Sequence, residues 1–271
     1  MKIACIQSRI LENRPLCYNH ITELVENLIN VYPNVDFICL PERWVPINPK
    51  IERNFQNERG EDYLFIKSLA KNFEVNILSG AIWEKRNNSD EDKFITCYYF
   101  DKNGREIGRQ DKIHLYTYEL KYFQPGDTLK IFKFSDFYFA ILICFDMAFY
   151  ETPRLAAENG ADILFSPTQI RSDGMDNWKI YLQARVLENR IPVLACNSVG
   201  SVFNRKFRGN SQIISFKEGP MTPSKLKILE GPIDKSGYVF DDVDLHFPRK
   251  LRKIRLNEKI HKESIEVLKI D

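Results

Sequence analysis

The chain lacks any apolar run long enough to cross a bilayer, and it lacks a surplus of either charge. Its start, MKIACIQSRI, has neither the long apolar stretch nor the small-residue cleavage site of a signal peptide, and it reads directly as a strand. Lysine and arginine together number 39 against 37 aspartates and glutamates, a formal net charge of +2. That balance leaves no basic excess of the kind that drives nucleic-acid binding. Histidine is scarce, with four residues, and the six cysteines at 5, 17, 39, 97, 144 and 196 form no C-x-x-C pair. Neither a zinc site nor a disulfide framework is indicated. Thiols set in apolar segments such as DFICLP and VLACN point instead to a reducing cytosol. No G-x-G-x-x-G turn is present, which argues against dinucleotide binding. Twelve glycines and 13 prolines are thinly spread, with no linker, low-complexity tract or internal repeat, so residues 1–271 are expected to form one domain. The expected protein is cytoplasmic, with no membrane or nucleic-acid partner.

What is present is an alternation of strand-like and helix-like segments, the pattern of a layered α/β architecture. Residues 2–8 read as a strand, 16–31 as a helix, 37–41 as a buried strand ended by proline, 61–73 as a helix and 75–82 as a strand. FITCYYF and the following IGR predict a hairpin closed by Asn103-Gly104. Residues 110–128 form a long irregular segment, and loops of that length in a compact domain usually carry function. Strands at 129–134 and 137–143 lead to Cys144, followed by a helix near 148–159, a strand at 161–166, a helix near 176–190 and the strand PVLACNSVG. Shorter β elements then precede a basic segment at about 246–271, which reads as a solvated face or a subunit contact.

Cys144 stands where an apolar, β-branched run gives way to a helix-like segment in FYFAILICFDMAFYETPRL. A helix start beside a thiol favours the thiolate and can stabilise an oxyanion, although a lone cysteine after a strand is more often a packed core residue. Glu42, in ICLPERW, lies just past a buried strand, where α/β sheets bind ligands; it fits a desolvated base or a surface glutamate. Lys112, in DKIHL, and Glu119 fit an oxyanion donor with its fixing carboxylate, or an exposed pair. His114 is a further partner for the thiol, ranked below Glu42 as base.

The order L-P-E-R-W, then D-K-I-H-L with E-L-K-Y-F-Q-P-G-D, then I-C-F-D-M-A-F-Y-E resembles the nitrilase superfamily of carbon-nitrogen hydrolases. The likeness runs on through WKIYLQARVLENRIPVLACNSVG and RGNSQIIS to the DVDL before PRKLR, nearly the whole chain. It implies a four-layer αββα sandwich and a homodimer or larger homo-oligomer formed through helices. It also implies a Glu-Lys-Cys triad of Glu42, Lys112 and Cys144, with Glu119 as the accessory carboxylate. In that scheme Glu42 takes the thiol proton, Cys144 attacks, Lys112 and the N–H of Phe145 hold the oxyanion, and water releases the acid from a thioester. No metal or organic cofactor is required.

The residues after the nucleophile, C-F-D, are similar to the C-x-D of amidase and carbamoylase branches, whereas true nitrilases carry C-W-E. The expected substrate is therefore a small amide of the ω-amidase or N-carbamoyl amino acid type; nitrile hydrolysis and an idle assembly or ligand-binding subunit are the alternatives. Tyr116, Tyr118, Phe145 and the SPTQ segment with Thr168 are expected at the pocket, or as packing. Asp146 is expected to stabilise the turn. Arg171 and Arg185 fit a substrate carboxylate, and Arg185 fits equally a pair with Glu188.

Overall fold

Two β-sheets lie face to face because their strands are apolar on both sides and must be covered twice. The computed structural model describes residues 1–260 except 88, 90, 222 and 223, together with 268 and 269. The first sheet runs Gly237–Asp242, Lys2–Gln7, Phe37–Cys39, Asn76–Leu78, Lys93–Phe100, Ile82–Lys85 and Gln56–Asn57, with Glu106–Asp111 also paired to Lys93–Phe100. The second runs Lys225–Glu230, Gln212–Lys217, Val193–Cys196, Ile163–Pro167, Phe137–Ile141 and Ile131–Phe134. A small hairpin, Val199–Val202 with Arg205–Arg208, stands apart from both.

Alternation along each strand decides the layers. Ile3, Cys5, Phe37 and Cys39 of the first sheet meet Phe139, Ile141, Ile163, Phe165 and Cys196 of the second in one core. Their neighbours Ala4, Ile6 and Ile38 turn outward into a second core with α1 (Arg14–Val31) and α2 (Glu61–Asn72). Ala140, Leu164, Val193 and Ala195 turn the other way, into a third core with α3 (Glu151–Glu158), α4 (Met175–Asn189) and α5 (His246–Glu258). The order helix, sheet, sheet, helix is the expected αββα sandwich. Phe37 anchors its centre, packing on Phe134 and Phe139 edge to face. Truncating so large a buried ring to alanine would cost about 3–5 kcal/mol.

Three local expectations are corrected. The predicted strand over 75–82 is two strands, Asn76–Leu78 and Ile82–Lys85, divided at Gly80. Gly80 takes φ +71°, and a Cβ there would lie 2.1 Å from the carbonyl oxygen of Pro41, so only glycine lets this bend pack under the loop that carries Glu42. The hairpin has no two-residue turn at Asn103-Gly104: its strands stop at Phe100 and resume at Glu106. The Asp101 carboxylate accepts from the backbone N–H groups of Asn103 and Arg105, each at 2.9 Å, and so stabilises a longer loop. The helix predicted near 148–159 begins only at Glu151, because residues Cys144–Ala148 form a tighter 3₁₀ turn.

The basic C-terminal segment is α5 over His246–Glu258, and it docks within its own chain. Arg249 and Arg252 reach the buried Asp162 carboxylate at 2.6 and 2.7 Å. Burial alone would raise the Asp162 carboxyl, but Arg249 and Arg252 outweigh it and hold the group below its ordinary value. Residues 261–267, 270 and 271 of that segment lie outside the described residues.

Candidate active site

The carboxyl ends of three strands, two from the first sheet and one from the second, lead to one cavity of about 300 Å³. Phe37–Cys39 runs into the loop bearing Glu42, Glu106–Asp111 stops one residue before Lys112, and Phe137–Ile141 stops three before Cys144. Glu42, Lys112, Glu119 and Cys144 all line the cavity. The two sheets are stitched at this end: the N–H of Glu42 donates to the Thr168 carbonyl at 3.1 Å, and the Glu42 carbonyl accepts from Ala81 at 3.2 Å.

Lys112 is the hub. Its ammonium, 1% exposed, lies 2.7 Å from Glu42 Oε1 and within 2.9 Å of both Glu119 oxygens. Burial disfavours its charge, yet the Glu42 and Glu119 carboxylates outweigh that cost and hold Lys112 protonated well above the ordinary lysine range. Glu119 opens a 3₁₀ turn and its second oxygen accepts from the N–H of Tyr116 at 2.7 Å, which fixes its direction. Burial, against the pull of Lys112, raises the Glu119 carboxyl. Next to Glu42, the buried Arg43 lies 3.9 Å above the Trp83 ring, and burial, its strongest influence, lowers its pKa to about 10.

Cys144 holds a left-handed backbone, φ +46°, a conformation that costs a non-glycine residue about 1–3 kcal/mol. The surrounding turn sustains it. Asp146 accepts from the N–H of Ile143 at 2.8 Å and also from Ile113 at 3.1 Å and His114 at 2.7 Å. One carboxylate therefore shapes the Cys144 turn and ties it to the loop that begins at Lys112. Arg185 donates to the carbonyls of Met147 and Ala148 and pairs with Glu188 at 2.8 Å, so it props this turn from behind. Burial first, then the Glu42 carboxylate, push the Cys144 thiol well above its ordinary range, while Lys112 and the N–H of Gln169 pull it down. That direction opposes the thiolate-favouring effect of a helix start and fits the scheme in which a neighbouring carboxylate takes the proton of a thiol.

The aromatic residues both pack and line. Tyr116 meets Phe145 edge to face at 5.2 Å, and both face the cavity with Tyr118. Thr168 does not line it: this fully buried residue donates its hydroxyl to the Cys196 carbonyl at 2.9 Å, and its own carbonyl holds the Glu42 backbone. The cavity wall at this strand end is formed instead by its neighbours Gln169 and Ile170. His114 stacks on Phe149 at 4.3 Å and takes the place of a turn neighbour. Trp178 and Tyr181 from α4, with Arg205 and Phe207 from the small hairpin, complete the wall. Nothing local in the sequence marks those four, because they enter from elements remote from the Glu42, Lys112 and Cys144 segments.

A thiol, two carboxylates and a captive ammonium thus line one cavity, the groups that hydrolysis through a cysteine nucleophile would use. The chain belongs to the carbon-nitrogen hydrolase family, whose model matches residues 2–218. It is 35% identical over 194 residues to a probable nitrilase of Schizosaccharomyces pombe, covering 72% of this chain and 68% of that protein. It is 30% identical over 185 residues to the 2-oxoglutaramate amidase of Bacillus subtilis, covering 67% and 70%. Among solved structures, a carbon-nitrogen hydrolase from Helicobacter pylori superposes with a TM-score of 0.82 at 21% identity, over 96% of this chain and 94% of that one. An amidase from Nesterenkonia sp., carrying acrylamide on its active-site cysteine, gives 0.76 at 22% identity over 95% and 98%. These likenesses are to nitrilase-superfamily proteins with the αββα fold described above.

Proposed function

We propose that this protein hydrolyses the amide carbon-nitrogen bond of a small molecule through a thioester on Cys144. The observation that carries the reading is Lys112, buried between Glu42 and Glu119 at the wall of the cavity that Cys144 lines. A buried ammonium so placed is a fixed oxyanion donor that needs no reorganisation when charge develops. Glu42 takes the Sγ proton as sulfur bonds to the carbonyl carbon, and the carbonyl electrons move to oxygen, where Lys112 and the N–H of Phe145 receive them. Collapse expels the amine or ammonia, protonated by Glu42. Water, deprotonated by Glu42, then attacks the thioester carbonyl, and the thiol leaves with a proton as the acid is released. Glu119 keeps Lys112 directed at the oxyanion.

An ω-amidase or N-carbamoyl amino acid hydrolase is the finer reading, supported by C-F-D at the nucleophile and by the likeness to an amidase of 2-oxoglutaramate. The chain works as one hydrolase domain in the cytoplasm, where six free thiols are at home. No helix among the described residues is long and apolar enough to cross a membrane. Exposed Leu155 on α3 with Ile180 and Leu187 on α4 support a homodimer joined through those helices. The test is ammonia release from a panel of small amides with intact-mass detection of the acyl-enzyme. The expected result is an adduct on Cys144 that is absent in Cys144→Ala, with turnover lost by about 10⁴-fold or more; turnover that survives Cys144→Ala would end the proposal.

A further inference from the structure

The charges around Lys112 do not balance. Two carboxylates, Glu42 and Glu119, meet a single ammonium. Immediately after Glu42 the chain buries a second cation. Arg43 is 3% exposed, and its Nε and Nη2 atoms have no hydrogen-bond partner. Its guanidinium lies over the Trp83 ring, which Phe55 and Phe123 pack in turn. Among the described residues no carboxylate pairs with it. The charges that act on it through space are those of Tyr118, Asp62, Glu42 and Arg14. Asp62 and Arg14 already pair with each other at 3.0 Å, and Asp62 also accepts from the Tyr18 hydroxyl at 2.6 Å. Burial first, then Glu119 and Glu42, push the Tyr118 phenol above its ordinary value, so it brings no negative charge. The surplus that Arg43 can balance is therefore the one at Glu42 and Glu119.

A buried ion with no counter-charge is costly to keep. Here an unpaired cation is buried next to a surplus anion, and Glu42, Glu119, Lys112 and Arg43 together sum to zero. We propose that Arg43 is a positioning residue for the reaction: its guanidinium balances the surplus carboxylate charge and so keeps Glu42 in the form that accepts the Cys144 proton. This rests on Glu42 as the base in the amidase reading. Arg43 does not line the cavity, so it acts on the base and not on the substrate. Without it, the site holds an uncompensated negative charge away from water, and a proton taken up by the carboxylate pair relieves that charge. The other groups facing Glu42 do not replace it. Lys112 is shared with Glu119, Cys144 and Tyr118 are neutral donors, and Glu119 adds to the surplus.

The test follows alkylation of Cys144 by iodoacetamide across about pH 5 to 9, read by intact mass and peptide mapping. In this step sulfur displaces iodide as its proton passes to Glu42. The wild-type rate is expected to rise along one acidic limb to a plateau. In Arg43→Met, whose apolar stem still covers Trp83, the limb should move up by about one pH unit. Labelling then slows about tenfold at the foot of the limb and is unchanged on the plateau. Arg43→Gln, a second neutral replacement, should show the same shift, and Arg43→Lys should keep the limb in place. A limb unmoved in both neutral variants, or a loss of rate equal at every pH, overturns the inference while the amidase reading stands. If Glu42→Gln keeps the acidic limb, Glu42 is not the base, and the inference falls together with the role given to that carboxylate.

Discussion

Cys144 lies just past one strand of the second sheet and Cys196 ends another, and burial pushes both thiols well above the ordinary range, yet they sit in opposite surroundings. Cys196 ends the strand Val193–Cys196 inside the core between the sheets, and its Sγ donates to the carbonyls of Cys39 at 3.1 Å and Ile6 at 3.2 Å. Cys5 and Cys39 are its nearest titratable neighbours, and thiols offer no base. Cys144 lies past a strand end in a strained turn, with the Glu42 carboxylate and the Lys112 ammonium acting on it. A low thiol pKa therefore does not set the candidate nucleophile apart. What sets it apart is a proton acceptor, an oxyanion donor and an open cavity, all supplied by other segments of the chain.

The largest expected break in this comparison is Glu42→Gln. Without its base Cys144 becomes, like Cys196, a thiol with nowhere to send its proton, and kcat should fall about 10²–10⁴-fold. Steady-state ammonia release with an active amide measures this; near-normal turnover would mean that the neighbouring carboxylate is not the distinction. Cys196→Ala should act on the other side of the comparison. Loss of the sulfur between the sheets should lower unfolding free energy by about 1–2 kcal/mol in urea titrations and leave acylation of Cys144 untouched. A loss of acylation without a loss of stability would tie the core thiol to the chemistry.

The smallest effect is shared by both thiols. Burial is the main cause of raised values at Cys5, Cys17, Cys97, Cys144 and Cys196, from an ordinary 9.0. The folded chain thus keeps protons that the unfolded chain releases above about pH 9. Stability is complete below that pH and declines as pH rises, by at most about 1.4 kcal/mol per pH unit for each thiol. Urea midpoints at pH 7.5, 9 and 10 should show the decline, and Cys144→Ser and Cys196→Ser should each remove one thiol's share of it. Equal slopes in the wild type and both variants would sink this account.

Much of the fold was legible because each strand and helix writes its own burial period. Ile3 and Cys5 against Ala4 and Ile6, or Phe139 and Ile141 against Ala140, are apolar on both faces, which announces strands covered twice. Gly80 shows the limit of that reading. The apolar run VNILSGAI looks continuous, and only the approach of Pro41 reveals why it must break. At the site, Glu42, Lys112, Glu119 and Cys144 stood out through their local contexts. Thr168 reads as a pocket residue from its segment alone, yet its hydroxyl is spent on the Cys196 carbonyl, and Arg205, Phe207, Trp178 and Tyr181 carry no local signal at all.

The sequence by itself determined the alternation of elements, the family, and which short segments bring acid, base and thiol. Those properties depend on neighbours along the chain, where side-chain period and residue type are read directly. Only the tertiary structure decided that Lys112 bridges Glu42 and Glu119, that Asp146 joins the Cys144 turn to the loop after Lys112, and that Arg205 faces the cavity while Lys206 and Arg208 turn to Asp234. These contacts join positions 70 residues apart in the case of Glu42 and Lys112, and their geometry is set by how two sheets pack and where their strands end.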